Sequence, residues 1–86
     1  MKNYPVGATW VATTNPAGYF GKFWLDGSFS GIEIWKWEAS HSDGSGTKFD
    51  WQPSKRGARN ECSAALYSLF SNGTPRKFEV KFKRLK

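Results

Sequence analysis

Hydrophobic and polar residues alternate along much of the chain, and this two-residue period is typical of β-strands. The stretch GYFGKFWLD, which starts at Gly18, puts Phe20, Lys22 and Trp24 on one face and the residues between them on the other. Similar alternation, or a β-branched and aromatic composition, marks four other stretches. The sequence therefore predicts five strands, over residues 8–14, 18–26, 32–39, 47–52 and 76–85.

Two tryptophans in the third predicted strand raise the question of which face of the sheet is covered. Trp35 and Trp37 share one face of this strand, and Ile32 and Ile34 lie on the other. Because a single helix covers one face of a sheet, one of these pairs must face outward. We favour tryptophans that pack beneath the helix. In the alternative arrangement, Trp35 and Trp37 are exposed and bind a partner or stack on nucleobases.

A 3.6-residue hydrophobic period follows Pro53 and predicts one helix that ends near Phe70. Ser54 is a favoured first residue, because its hydroxyl can accept a hydrogen bond from an otherwise unpaired backbone N–H group. Gly73 and Pro75 prevent the helix from continuing. One apolar stripe should lie on the sheet, and it consists of Ala58, Cys62, Ala65, Leu66 and Leu69.

These elements predict an α+β fold: an antiparallel sheet of four to five strands with one helix packed on one face, in the order β-β-β-β-α-β. The length of 86 residues suits one domain, so we expect residues 1–86 to form a single small basic domain. Five Trp, three Tyr and seven Phe residues can fill its core. We expect a cytoplasmic protein, because no signal peptide or membrane span is recognisable and the single cysteine fits a reducing compartment.

Residues capable of catalysis do not form a recognisable motif. His41 lies between two serines and close to Asp43, a spacing too short for the geometry of a catalytic triad. Cys62 falls on the apolar stripe, where we expect a buried thiol with a raised pKa. One cysteine and one histidine fall short of a zinc site. The sequence therefore predicts that the protein is not an enzyme and uses no metal or other cofactor.

The positive charge is concentrated in the last part of the chain. Residues 1–50 contain four basic and five acidic residues, whereas residues 51–86 contain nine basic and two acidic residues, a balance of +7. A basic field of this kind attracts polyanions such as nucleic acids, although the same charge can serve solubility alone.

Basic residues occupy the first turn of the predicted helix, where the helix dipole favours acidic ones. Lys55, Arg56 and Arg59 suit this end of the helix to a phosphate group, and Asn60 and Tyr67 lie on its exposed side. Each misplaced charge costs only about 0.3–1 kcal/mol. A solvated helix end without a ligand is therefore the alternative.

The segment SKRGAR, which begins at Ser54, resembles the Ser-Lys-Lys-x-Ala-Lys signature that opens the last helix of double-stranded-RNA-binding domains. By that resemblance Lys55, Arg56 and Arg59 would contact phosphates across a groove. The similarity covers these six residues, since this chain has no predicted helix before its first strand and adds a strand after the helix. Residues 18–70 also resemble the layout of integrase arm-binding domains, in which the sheet contacts DNA. We assign the chain to neither family.

The last predicted strand adds Lys77, Lys81 and Lys83, which either protect a sheet edge or continue the basic surface of the helix start as one track. Our leading interpretation is a small nucleic-acid-binding domain, for DNA or RNA, that contacts phosphates through the helix start and these lysines. The alternative is a protein-interaction or inhibitory factor. It would bind a protein partner, or a second copy of itself, through Trp35, Trp37 and a sheet edge.

Overall fold

The computed structural model describes residues 4–70 and 77–85, which form five strands and one helix. In chain order these are β1 (Thr9–Asn15), β2 (Tyr19–Phe29), β3 (Ile32–His41), β4 (Lys48–Gln52), α1 (Lys55–Phe70) and β5 (Glu79–Arg84). The strands lie in the spatial order β4-β3-β2-β1-β5, and all neighbouring pairs are antiparallel. The predicted α+β fold and its order of elements are confirmed.

The first four strands follow one another across the sheet, and β5 returns to pair with β1 at the edge opposite β4. β2 is longer than predicted, because it continues to Phe29 through a register shift between Leu25 and Gly27. The chain then reverses at Ser30 and Gly31, which both have positive φ angles, the geometry of a tight hairpin turn. The longer hairpin leaves Phe29 76% exposed.

The helix packs mainly on β2, β3 and β4 and buries the predicted apolar stripe against them. Ala58, Cys62 and Leu66 are fully buried. Trp35 and Trp37 lie on the same covered face of the sheet, 1% and 7% exposed, so the packing that we favoured is confirmed. This burial leaves neither ring available for the partner contact considered as the alternative.

Gly21 lets the helix approach the sheet closely. A Cβ atom at this position would lie 2.8 Å from Cδ1 of Leu66 and 3.2 Å from Sγ of Cys62, closer than such atoms normally approach. Because α1 lies over β2, β3 and β4, other side chains fill the same face above β1 and β5. These include Tyr4 and Trp10, whose ring centroids lie 5.2 Å apart.

Candidate nucleic-acid interface

Ser54 caps α1 as predicted, because its Oγ accepts a hydrogen bond from the backbone N–H of Gly57 at 3.0 Å. The first turn that follows contains no acidic residue. Lys55 is half-buried, whereas Arg56 and Arg59 are exposed. The helix start is therefore basic, and the positions of its side chains decide what this charge contacts.

Two of these cations lie over aromatic rings of the same molecule. Lys55 Nζ is 4.4 Å from the centroid of the Trp10 ring and donates a hydrogen bond to the Tyr4 hydroxyl at 3.3 Å. The Arg59 guanidinium lies 5.7 Å from the centre of the Phe82 ring. Arg84, from β5, lies over Trp10 at 5.2 Å. Cation–π attraction thus gives the basic helix start an intramolecular partner, which stabilises it without a ligand.

The remaining predicted helix residues are exposed on the surface of the helix. Arg56, Asn60 and Tyr67 are exposed, and the Tyr67 ring also contacts Phe78 with its centroid 5.1 Å away. The side of the helix predicted to face solvent does so. It carries one cation, Arg56, that lies over no aromatic ring among residues 4–70 and 77–85.

The lysines of the last strand lie on the other side of the sheet from the helix. Lys81 pairs with Thr13 and Lys83 with Val11, whereas Phe82 between them faces Arg59 on the covered side. Lys77 is 87% exposed and its Nζ lies 3.6 Å from a carboxylate oxygen of Glu79. Lys81 and Lys83 therefore face away from the basic residues of the helix start and do not form one flat basic surface with them.

We call the face of the sheet turned away from α1 the open face. It carries aromatic rings and lysines in neighbouring positions, and Phe49 and Trp51 are 76% and 47% exposed. Strand pairing and side-chain alternation place its members on one surface. They include Val11, Thr13, Phe20, Lys22, Trp24, Ile34, Lys36, Glu38, Phe49, Trp51, Lys81 and Lys83.

Trp24, in the middle of the open face, is fixed by polar neighbours. Its Nε1 donates a hydrogen bond to Asp26 Oδ1 at 3.3 Å, and Lys36 Nζ lies 3.2 Å from the other oxygen of Asp26. Two hydrogen bonds lower the pKa of the Asp26 carboxyl, of which the one from Lys36 has the larger effect and the one from Trp24 the smaller. Lys22 Nζ lies 4.8 Å above the Trp24 ring. The ring is therefore held in a defined orientation with two lysines beside it.

A cleft opens between Trp24 and Trp51, which we call the tryptophan cleft. Lys36 lies between these residues in the strand register, with Trp24 on one side and Trp51 on the other. Glu38 of β3 pairs with Phe49 of β4, and both residues line the cleft. Its volume is about 450 Å³, within the range of about 300–1,000 Å³ typical of small-molecule sites.

Comparison with known protein families, curated proteins and solved structures finds no match to this chain. Within the described ranges, no helix has the length and apolar content needed to cross a membrane. Residues 4–70 and 77–85 also contain no group of three or more His, Cys, Asp or Glu side chains arranged to hold a metal ion.

Cys62 behaves as predicted from its place on the apolar stripe. It is a free, fully buried thiol whose Sγ lies 3.5 Å from the carbonyl oxygen of Glu38. Burial raises the pKa of the thiol from its ordinary value of 9.0 to about 12. The thiol therefore stays protonated at neutral pH and packs as a small apolar group.

This raised pKa predicts a loss of stability in alkaline solution. Since the unfolded thiol ionises at lower pH than the folded one, the free energy of unfolding should fall as the pH rises from 9.0 toward about 12. Urea unfolding followed by circular dichroism at several pH values measures this fall. The variant Cys62→Ala, which cannot ionise there, should show a shallower decline. Equal declines in the two proteins would contradict the assignment.

The open face was only partly accessible to sequence reasoning. Alternation placed Phe20, Lys22 and Trp24 together, and it placed Phe49 and Trp51 together, but it did not bring the two strands side by side. The order β4-β3-β2 does so, with Lys36 between Trp24 and Trp51. The useful signal was Lys22, which lies two residues from both Phe20 and Trp24 on one strand face.

Proposed function

We propose that this chain is a small, non-enzymatic nucleic-acid-binding domain and that the nucleic acid lies on the open face of the sheet. The observation that carries the proposal is the intermingling of exposed aromatic rings and lysines on that face. Trp24 and Trp51 flank Lys36, and Lys22 lies 4.8 Å above the Trp24 ring. Aromatic platforms of this kind stack on nucleobases while neighbouring cations attract the phosphate backbone.

The distribution of charge across the open face supports the same ligand. Lys22 and Lys36 lie on the central strands, and Lys81 and Lys83 lie on the edge strand β5. From β4 to β5 the sheet spans four strand spacings, or about 19 Å. A flexible polyanion can therefore meet rings at one edge and lysines at the other. The buried thiol of Cys62 fits a reducing compartment, so we place this activity in the cytoplasm.

The basic helix start remains a second candidate surface for phosphate, with Lys55, Arg56 and Arg59 as its cations and Asn60 beside them. We rank it below the open face because Lys55 and Arg59 already lie over aromatic rings of the same molecule. A phosphate at this end would compete with those contacts. The helix start therefore offers fewer cations to a phosphate ligand than the sequence predicts.

A titration at two salt concentrations tests the proposed function. Labelled single-stranded DNA, single-stranded RNA and duplexes of each would be titrated with the full chain and followed by fluorescence anisotropy. If the four lysines Lys22, Lys36, Lys81 and Lys83 each meet one phosphate, single-strand affinity should fall about 50-fold between roughly 50 and 200 mM salt. Absence of binding at the lower salt concentration would overturn the proposal.

A protein partner is the second candidate function, and exposed apolar side chains away from the lysines favour it. Phe29 and Ile32, at the end of the β2–β3 hairpin, are 76% and 50% exposed. β4 also lies at the edge of the sheet, and among the described residues no strand pairs with its outer side, so a strand of a partner could add there. Sedimentation of the purified chain at several concentrations would detect the homodimer form of this function, and Phe29→Ala should weaken it.

A further inference from the structure

The tryptophan cleft has the shape of a site for a flat ring. Trp24 and Trp51 are separated by one intervening strand, so their strands lie about 10 Å apart. The Lys36 side chain lies between them in the strand register, and its Nζ pairs with Asp26 at 3.2 Å. A planar group that enters the cleft over the Lys36 side chain can therefore contact both tryptophans, and Phe49 also lines the cleft.

Glu38 gives the cleft a polar group without a partner of its own. Its half-buried side chain lines the cleft, and its carboxylate forms no ion pair or hydrogen bond with residues 4–70 or 77–85. Lys22 is its neighbour across the strand pair, but Lys22 Nζ lies over the Trp24 ring instead. A carboxylate in a largely apolar cleft favours a guest that donates hydrogen bonds.

The chemistry of the bases identifies the guest that suits this cleft. Guanine presents two neighbouring donors, N1–H and the N2 amino group, on one edge, and these match the two oxygens of a carboxylate. Thymine and uracil present one N–H between two carbonyl oxygens, which a carboxylate repels. In a duplex this edge is paired and the ring faces are stacked, so the base must be unpaired.

We infer that the tryptophan cleft binds one unpaired guanine of a single-stranded nucleic acid, stacked between Trp24 and Trp51 and hydrogen-bonded to Glu38. This inference rests on the proposed function and adds the form of the nucleic acid and the base that it selects. The lysines of the open face attract any strand, whereas the cleft discriminates among bases.

The test uses three single-stranded DNA oligonucleotides of about eight nucleotides. One contains only thymine, one carries a single central guanine, and one carries hypoxanthine there, which lacks the N2 amino group. We expect the guanine strand to bind about 5- to 100-fold more tightly than the thymine strand, with hypoxanthine between them. In Glu38→Gln this preference should largely disappear, while the thymine strand binds no more weakly, since a negative charge is removed.

Two phenylalanines provide a matched control for stacking. Phe49 and Phe29 are each 76% exposed, but only Phe49 lines the cleft. Phe49→Ala should weaken binding of the guanine strand by about fivefold or more, and Phe29→Ala should leave it unchanged. Circular dichroism of both variants and of Glu38→Gln verifies that each is folded.

The outcomes separate this inference from the proposed function. Salt-sensitive binding that is equal for all three oligonucleotides, or a guanine preference that survives Glu38→Gln, would overturn the base site and leave nucleic-acid binding intact. Failure of every oligonucleotide to bind at low salt would overturn both. The aromatic residues of the open face would then be tested as a protein-binding surface.

Discussion

Replacing Trp35 with alanine is expected to destabilise the protein by about 3–5 kcal/mol, a large share of the stability of a domain this small. The Trp35 ring is 1% exposed and lies among Tyr4, Trp10 and Phe23, with centroid distances of 5.9, 5.9 and 6.5 Å. Its Nε1 also donates a hydrogen bond to Glu33 at 3.0 Å. Alanine would leave a cavity in the centre of the aromatic core.

Urea unfolding followed by far-ultraviolet circular dichroism measures this loss without depending on tryptophan fluorescence. Trp51→Ala is the matched control, because this tryptophan also lies on the sheet but is 47% exposed on the open face. We expect it to cost about 1 kcal/mol or less. Similar losses at the two positions would show that the two faces of the sheet are assigned incorrectly.

Reversing two charges on β5 is expected to weaken single-strand binding about 20-fold or more at roughly 0.1 M salt. Lys81 and Lys83 are exposed on the open face, and one lysine–phosphate pair supplies about 0.7 of a decade of affinity at this salt concentration. The double variant Lys81→Glu and Lys83→Glu should also show a salt dependence that is less steep by about 1.4 logarithmic units per decade. Fluorescence anisotropy with one labelled single strand measures both quantities.

A second double variant carries the same change in net charge on the covered side of the sheet. Arg56→Glu with Arg59→Glu alters the basic helix start, and Arg59 lies 5.7 Å from the Phe82 ring. Because both pairs change the total charge equally, a difference between them reports the surface that the nucleic acid contacts. A greater loss of affinity for the arginine pair would transfer the site to the helix start and contradict the open-face proposal.

The two faces of the sheet thus have different physical roles for their cations. On the covered side, Lys55 and Arg59 pack on Trp10 and Phe82, and this attraction offsets the cost of placing positive charge at a helix start. On the open face, Lys22 lies over the Trp24 ring, and Lys36 pairs with Asp26, which accepts a hydrogen bond from Trp24. The same residue types therefore stabilise the edge of the core in one place and lie beside exposed aromatic rings in the other.

The strands and the helix of this protein could be predicted from the amino-acid sequence, because strand and helix periods are local. The two-residue period, with the composition of the first strand, identified the five strands. The 3.6-residue period identified the helix, whose buried residues Ala58, Cys62, Ala65 and Leu66 all belong to the predicted stripe, while Leu69 is partly buried. The Ser54 cap was also predictable, since the hydroxyl contacts an N–H group only three residues away. Burial of Trp35 beneath the helix followed from the preference of large rings for a core.

Which cations and rings share a surface depends on how the strands and the helix are arranged in space. Lys55 and Trp10 are far apart in sequence. They come into contact because the fold brings the start of α1 close to β1, next to the edge strand β5. Trp24 and Trp51 become neighbours through the order of β2, β3 and β4, which no local period specifies. Strand alternation sets the face of each side chain relative to its own strand, whereas the packing of α1 on one face decides which face stays exposed to solvent.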